Sequence, residues 1–214
     1  MNEQASKILH TSNVYHNEWA GKLAELLVSL TRSEGGLGYP SQNAAGADAG
    51  GPVARPAKVF FANSGTEANE GALKIARKAG KEVWAAKTGK KWEDGGCTKT
   101  RIVCFENSFH GRSMGALSVT SNPKYQRPFE PLIPGVDVGK IDDLAGLENG
   151  LVGEDTCAVI VEPIQGEGGV CEASEEWLRA LRKKCDDVGA VLIFDEIQVR
   201  LCMEGKIKSD ILTH

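Results

Sequence analysis

The sequence predicts an α/β fold, a three-layer sandwich with a mostly parallel sheet. Three observations carry that prediction. Short apolar runs rich in β-formers alternate along the chain with longer stretches whose apolar residues recur at helical spacing. The runs are apolar throughout, as strands covered on both faces are. Just past them stand Ser64-Gly65-Thr66, Phe109, Glu162 and Asp195, and in such sheets ligands sit beyond the carboxyl ends of the strands.

Residues 1–32 form an N-terminal segment with one helix. Residues 1–17 are polar and show no pattern, so no element is assigned to them. From Glu18 the pattern turns helical, with Trp19, Leu23, Leu26, Leu27 and Leu30 on one stripe. Residues 33–57 are rich in Gly, Ala, Pro and Ser and read as a flexible insertion. Lys58–Ala62 reads as a buried strand, and Ala68, Ala72, Ile75, Ala76 and Ala79 mark a helix over 66–79. A polar loop over 87–100 precedes a second strand, Arg101–Phe105. A loop and a short helix over 112–120 follow, and four prolines make 121–135 irregular. Ile141–Glu148 is a weak helix, and Cys157–Val161 a third strand ended by Glu162-Pro163.

Residues 164–169 form a glycine-rich loop without G-x-G-x-x-G spacing and without a helix directly behind it, which excludes a dinucleotide fingerprint. Ser174 caps the next helix, Glu175 and Glu176 sit in its positive first turn, and Gly189 ends it. Ala190–Phe194 is the fourth strand. Residues 58–198 thus make one α/β domain, and 199–214 a tail unlike it.

Composition narrows the function. A net charge of −4 argues against a nucleic-acid binder. No apolar run reaches the length of a membrane span. The six cysteines form no C-x-x-C pair and have no histidine at zinc-finger spacing, so no metal site is expected and a reducing compartment is the simplest setting. The first residues carry neither a secretory nor a transit pattern.

The stretch Asn63-Ser64-Gly65-Thr66 lies between the expected strand at 58–62 and the helix after it. Its backbone N–H groups leave the helix N-terminus, where the macrodipole is positive, and the Ser64 and Thr66 hydroxyls add donors. This is a phosphate grip or an ordinary N-cap. The convergence of Phe109, Glu162 and Asp195 on the same sheet edge favours the grip.

Five motifs in order resemble the class III, fold-type I aminotransferases that use pyridoxal 5′-phosphate (PLP). They are Asn63–Glu70, Ser108–Ser113, Pro123-Lys124-Tyr125, Glu162–Gly169 and Phe194–Gln198. The resemblance covers roughly residues 9–198 and implies an incomplete large domain of the aspartate-aminotransferase type. It implies that Gly65 and Thr66, with Ser64, hold the PLP phosphate, that Phe109 stacks on the ring, and that Asp195 pairs with the ring nitrogen. Gln198 would reach the phenolic oxygen. Arg112 would contact a substrate carboxylate through its planar fork, and Glu162 would stand near the substrate. His110 and Glu196 receive no role.

Within the family the motifs, with Thr11–Tyr15, are most similar to the acetylornithine enzymes. That implies transamination of N2-acetylornithine with 2-oxoglutarate in arginine biosynthesis, by a homodimer, mitochondrial if eukaryotic and otherwise cytoplasmic. The same scaffold serves ornithine, 4-aminobutyrate and other PLP enzymes. The chain departs from the family after Gln198: the family's Schiff-base lysine has no counterpart, and Lys206 and Lys208 stand in the wrong context. No residue of this chain is therefore assigned a catalytic role. The expectation is a truncated chain, inactive alone, or a non-catalytic isoform that binds PLP weakly or pairs with a full-length subunit.

Overall fold

The computed structural model describes residues 2–12, 14–34 and 57–198. Most of the expected insertion, the whole tail and Asn13 lie outside them. The chain divides into two units, Met1–Phe61 with Lys206–His214, and Ala62–Gly205.

The first unit holds helices α1 (Asn2–Lys7) and α2 (Glu18–Glu34). The sequence pattern missed α1 because it has no apolar face. Its Gln4 Oε1 accepts from Trp19 Nε1 at 2.8 Å. Asn17 caps α2, its Oδ1 accepting from the N–H groups of Trp19 and Ala20 at 2.9 and 3.3 Å. The predicted strand at 58–62 is not one. Residues 57–62 take no regular structure, and Phe60 and Phe61 are exposed. An extended run becomes a strand only when a neighbour takes up its N–H and C=O groups, and no described ladder includes these residues.

The second unit carries the rest: α3 (Gly65–Thr88), β1 (Arg101–Phe105), α4 (Met114–Ser118), α5 (Pro123–Gln126), β2 (Val136–Gly139), α6 (Leu144–Glu148), β3 (Thr156–Val161), β4 (Ile164–Gln165), β5 (Cys171–Glu172), α7 (Glu175–Val188) and β6 (Val191–Phe194). The main sheet has the order β2-β1-β3-β6, and every pair in it is parallel. β4 and β5 form a small antiparallel hairpin where a glycine-rich loop was expected.

Helices cover both faces of the sheet, as the continuous apolar runs required. On one face Leu73 and Ala76 of α3 join Ile102, Cys104, Ala158 and Ile160 in one buried cluster. On the other, Trp177 of α7 is fully buried and meets Phe105 edge-on, centroids 4.9 Å apart. Such a pair contributes about 0.5–1.5 kcal/mol beyond its buried area. Ser174 Oγ accepts from Trp177 N and fixes the start of α7. The indole of Trp177 is thereby held three residues from a cap, over the sheet.

α3 runs nine residues beyond its expected end at 79, to Thr88. Gly80 looks like a breaker in the sequence. In the fold it is where α3 touches β3, since a Cβ there would stand 2.5 Å from Cys157 Cβ. β2 was not predicted. Three of its four residues, Val136–Val138, are at least partly exposed at the sheet edge behind a proline-rich stretch, so no apolar run announces it. Asp137 on β2 instead pairs with Arg101 of β1 at 2.6 Å.

Candidate active site

Three parallel strands and one helix N-terminus set the site. β1, β3 and β6 run in the same direction, so the residues after them, 106–113, Glu162 and Asp195–Gln198, emerge at one sheet edge. Gly65, Thr66, Phe109–Ser113, Asp195, Ile197 and Gln198 line a cavity there of about 340 Å³. Six of the eight predicted residues are among them: Gly65, Thr66, Phe109, Arg112, Asp195 and Gln198. Ser64 and Glu162 are not.

At the start of α3, Ser64 is the N-cap. Its Oγ accepts from Glu67 N at 3.3 Å, and its carbonyl from Ala68 N at 3.1 Å. The first N–H groups of a helix have no partner inside it. Here those of Gly65 and Thr66 have no partner among the described residues, at the positive end of a 24-residue helix. The Thr66 hydroxyl was expected to add a donor toward the cavity. The structure gives it other work: Oγ1 accepts from the N–H groups of Arg112 and Ser113, at 3.2 and 3.4 Å. It also lies 3.1 Å from Ser113 Oγ, which in turn donates to Glu70 Oε1 at 2.6 Å. The hydroxyl of Ser113 is thus committed to Glu70, and the remaining proton of Thr66 points to Ser113. The turn at 111–113 closes this tightly only because residue 111 is glycine. Its φ is +128°, and a Cβ there would collide with Thr66 Oγ1.

At the end of β6 stands Asp195, 6% exposed. Its Oδ2 accepts from Asn69 Nδ2 and from His110 Nδ1, each at 2.8 Å. Its Oδ1 accepts from Ile197 N at 3.1 Å, a turn that folds the chain back over the cavity. Burial pushes the Asp195 carboxyl up, but the bond and charge of His110, then Asn69 and Ile197, outweigh it and hold it below the usual value. Asp195 is therefore ionised at neutral pH and can only accept, so His110 Nδ1 carries the shared proton. His110 Nε2 is buried and has no hydrogen-bond partner among the described residues.

His110 and Asn69 are the residues that sequence reasoning missed. Asn69 Nδ2 bonds both the His110 carbonyl, at 2.7 Å, and Asp195, so one amide ties α3 to the loop after β1 and to the end of β6. The sequence held a signal for it: Asn69, Leu73 and Ala76 share one buried face of α3, and a polar residue on such a face needs a partner. His110 had no such signal, since its burial comes from strands distant in sequence.

Glu162, expected near the substrate, does not line this cavity. It is buried, and its carboxylate accepts from Phe109 N at 2.9 Å and Gly166 N at 3.5 Å. Burial pushes its carboxyl up despite those bonds. It fixes the loop that carries Phe109. The Phe109 ring in turn meets Tyr125 edge-on at 5.9 Å, and Tyr125 Oη donates to Glu167 at 2.6 Å. Arg112 and Gln198 are exposed at the cavity wall. Among the described residues no group of three or more His, Cys, Asp or Glu is placed to hold a metal, and no helix is long and apolar enough to cross a membrane.

Comparison with known proteins places this geometry among relatives. The family model described as aminotransferase class-III matches residues 1–207. The mitochondrial acetylornithine aminotransferase of Yarrowia lipolytica is 50% identical over 99% of this chain and 46% of its own length. That of Neurospora crassa is 48% identical over 95% of this chain and 38% of its own. A structure of the ornithine aminotransferase of Toxoplasma gondii, with partial occupancy of PLP at its active site, superposes with a TM-score of 0.72. It is 27% identical and covers 99% of this chain and 42% of that one. The chain thus spans less than half the length of these relatives.

Proposed function

The chain belongs to the class-III aminotransferases, and from that premise we propose that it forms the PLP cradle of an acetylornithine aminotransferase. The observation that carries the reading is one cavity that combines two free N–H groups of a helix N-terminus with a buried, ionised aspartate. The N–H groups of Gly65 and Thr66 suit a phosphate. Asp195 suits a protonated pyridine nitrogen: His110 and Asn69 take both lone pairs of Oδ2, and Ile197 takes one of the two on Oδ1, which leaves one acceptor site on Oδ1. Phe109 lies on the cavity wall to stack on the ring, and Gln198 to reach its phenolic oxygen. Bound PLP supplies an electron sink for the carbon that bears the substrate amine.

The residues of this chain hold and orient. Asp195 keeps its charge at the ring nitrogen because His110 and Asn69 stabilise it. Arg112, exposed at the wall, offers a planar fork to a substrate carboxylate. The 50% and 48% identity to named acetylornithine aminotransferases supports N2-acetylornithine as amino donor, with 2-oxoglutarate as acceptor. The same relatives support a mitochondrial setting in a eukaryotic source, and a homodimer is the assembly we assign. Among the described residues that line the cavity none is a lysine, so we assign this chain the cradle and not the covalent step.

The test is a PLP titration followed by absorbance, then borohydride reduction and intact mass. Saturable binding is expected, displaced by inorganic phosphate, weakened roughly 10- to 100-fold in Asp195→Ala, and leaving no mass adduct. Absence of saturable binding refutes the cradle. A stoichiometric adduct refutes the assignment of the covalent step away from this chain.

A further inference from the structure

A second crevice lies beside this cavity and has no part in the reading above. It is an open cleft with about 60 Å³ of internal space, between α3, α4 and the β1–β2 edge. Its floor is apolar, formed by Leu73, Ile102, Val119 and Val136. Its rim is charged: Glu70, Lys74 and Arg77 stand at i, i+4 and i+7 on α3, one face of the helix.

The rim groups are incompletely used. Arg77 Nη2 donates to the Pro134 carbonyl at 3.2 Å, which holds the guanidinium in place. Its Nε is buried and has no partner among the described residues. Glu70 takes its three hydrogen bonds, from Ser113 Oγ and the N–H groups of Gly115 and Ala116, on Oε1. Its Oε2 has none among the described residues. Burial pushes the Glu70 carboxyl up, but those bonds and Lys74 outweigh it, so it is ionised.

We propose that this crevice binds a small aliphatic α-amino acid as its zwitterion. The carboxylate meets Arg77 and Lys74, the ammonium meets Glu70 Oε2, and the side chain covers the apolar floor. A simple carboxylate would face Glu70, and a simple amine would face two cations. The zwitterion alone answers both ends. The crevice and the first cavity share no lining residue, but their walls are joined. Glu70 Oε1 holds Ser113, Ser113 bonds Thr66, and both cavities share α3 and the 112–119 segment. The proposal does not depend on PLP binding.

The experiment is calorimetric titration of the whole chain with L-norvaline, with pentanoate and pentylamine as controls. Saturable norvaline binding is expected, with both controls at least tenfold weaker. Arg77→Gln should weaken it roughly 10- to 100-fold, the value of a charge-assisted bond. Lys74→Gln, at an exposed position that leaves folding intact, should weaken it severalfold. Arg112→Ala, in the wall of the other cavity, should leave it unchanged. Absence of saturable binding, or equal affinity in Lys74→Gln and Arg77→Gln, overturns the site. Loss in Arg112→Ala puts the ligand in the other cavity, and pentanoate as tight as norvaline overturns the zwitterion.

Discussion

Asn69→Ala removes the amide that joins α3, the His110 loop and Asp195. Asn69 is 4% exposed, and its Nδ2 makes bonds of 2.7 and 2.8 Å. Its loss leaves the His110 carbonyl without that donor, at about 1–3 kcal/mol, and takes one charged hydrogen bond from Asp195, at about 1.5–3 kcal/mol. The better helix propensity of alanine returns about 0.5 kcal/mol. The expected destabilisation is therefore about 2–5 kcal/mol, a large part of a typical domain's 5–15 kcal/mol.

Urea unfolding followed by the fluorescence of buried Trp177 and by circular dichroism measures it. The midpoint should fall by roughly 1–2 M. The effect should also depend on pH. The folded carboxyl of Asp195 lies below its ordinary value of 3.8. The stability it contributes is full above 3.8 and is lost as pH falls through the lower, folded value. Asn69 is one cause of that lowering, so the gap between native and variant should be widest at pH 7 and shrink below 3.8. A loss under about 0.5 kcal/mol at pH 7, the level of an ordinary surface substitution, refutes the tie itself. A gap of constant size down to pH 3 refutes the part assigned to Asp195.

Two further outcomes follow from the same geometry. Gly111→Ala places a side chain at φ +128° and against Thr66. It should cost about 2–6 kcal/mol in strain and overpacking together, read as a fall in Tm, and a cost below 1 kcal/mol would show that the 111–113 turn is not held as described. Burial pushes the thiols of Cys104 and Cys185 up to about 12, while Cys171 is exposed. At pH 8 an aromatic disulfide reagent should label Cys171 at once and the other two only after unfolding, by peptide mass; early labelling of Cys104 or Cys185 would contradict the packing of the sheet.

Much of the second unit was legible because its elements announce themselves locally. β1, β3, β6 and α7 match their expected spans within a residue at each end, since continuous apolar runs, a Ser cap and a Gly stop are written in neighbouring residues. Elements whose stability comes from elsewhere were not legible. β2 exists because β1 offers it a ladder, and 57–62 are no strand because no described ladder does. α3 passes through Gly80 because β3 needs the space.

The site divides in the same way. The order of motifs by itself determined the family, the helix N-terminus with its free N–H groups, and the placing of Phe109, Arg112, Asp195 and Gln198 around one cavity. Only the tertiary structure decided what each polar atom does there. It turned the Thr66 hydroxyl to the 111–113 turn, gave Glu162 to the backbone of Phe109, and set His110 and Asn69 on Asp195. The physical reason is distance along the chain. Apolar period and caps act within a few residues, whereas the Asn69–Asp195 and His110–Asp195 bonds join residues 126 and 85 positions apart. Such bonds exist only once the parallel sheet has brought its strand ends together.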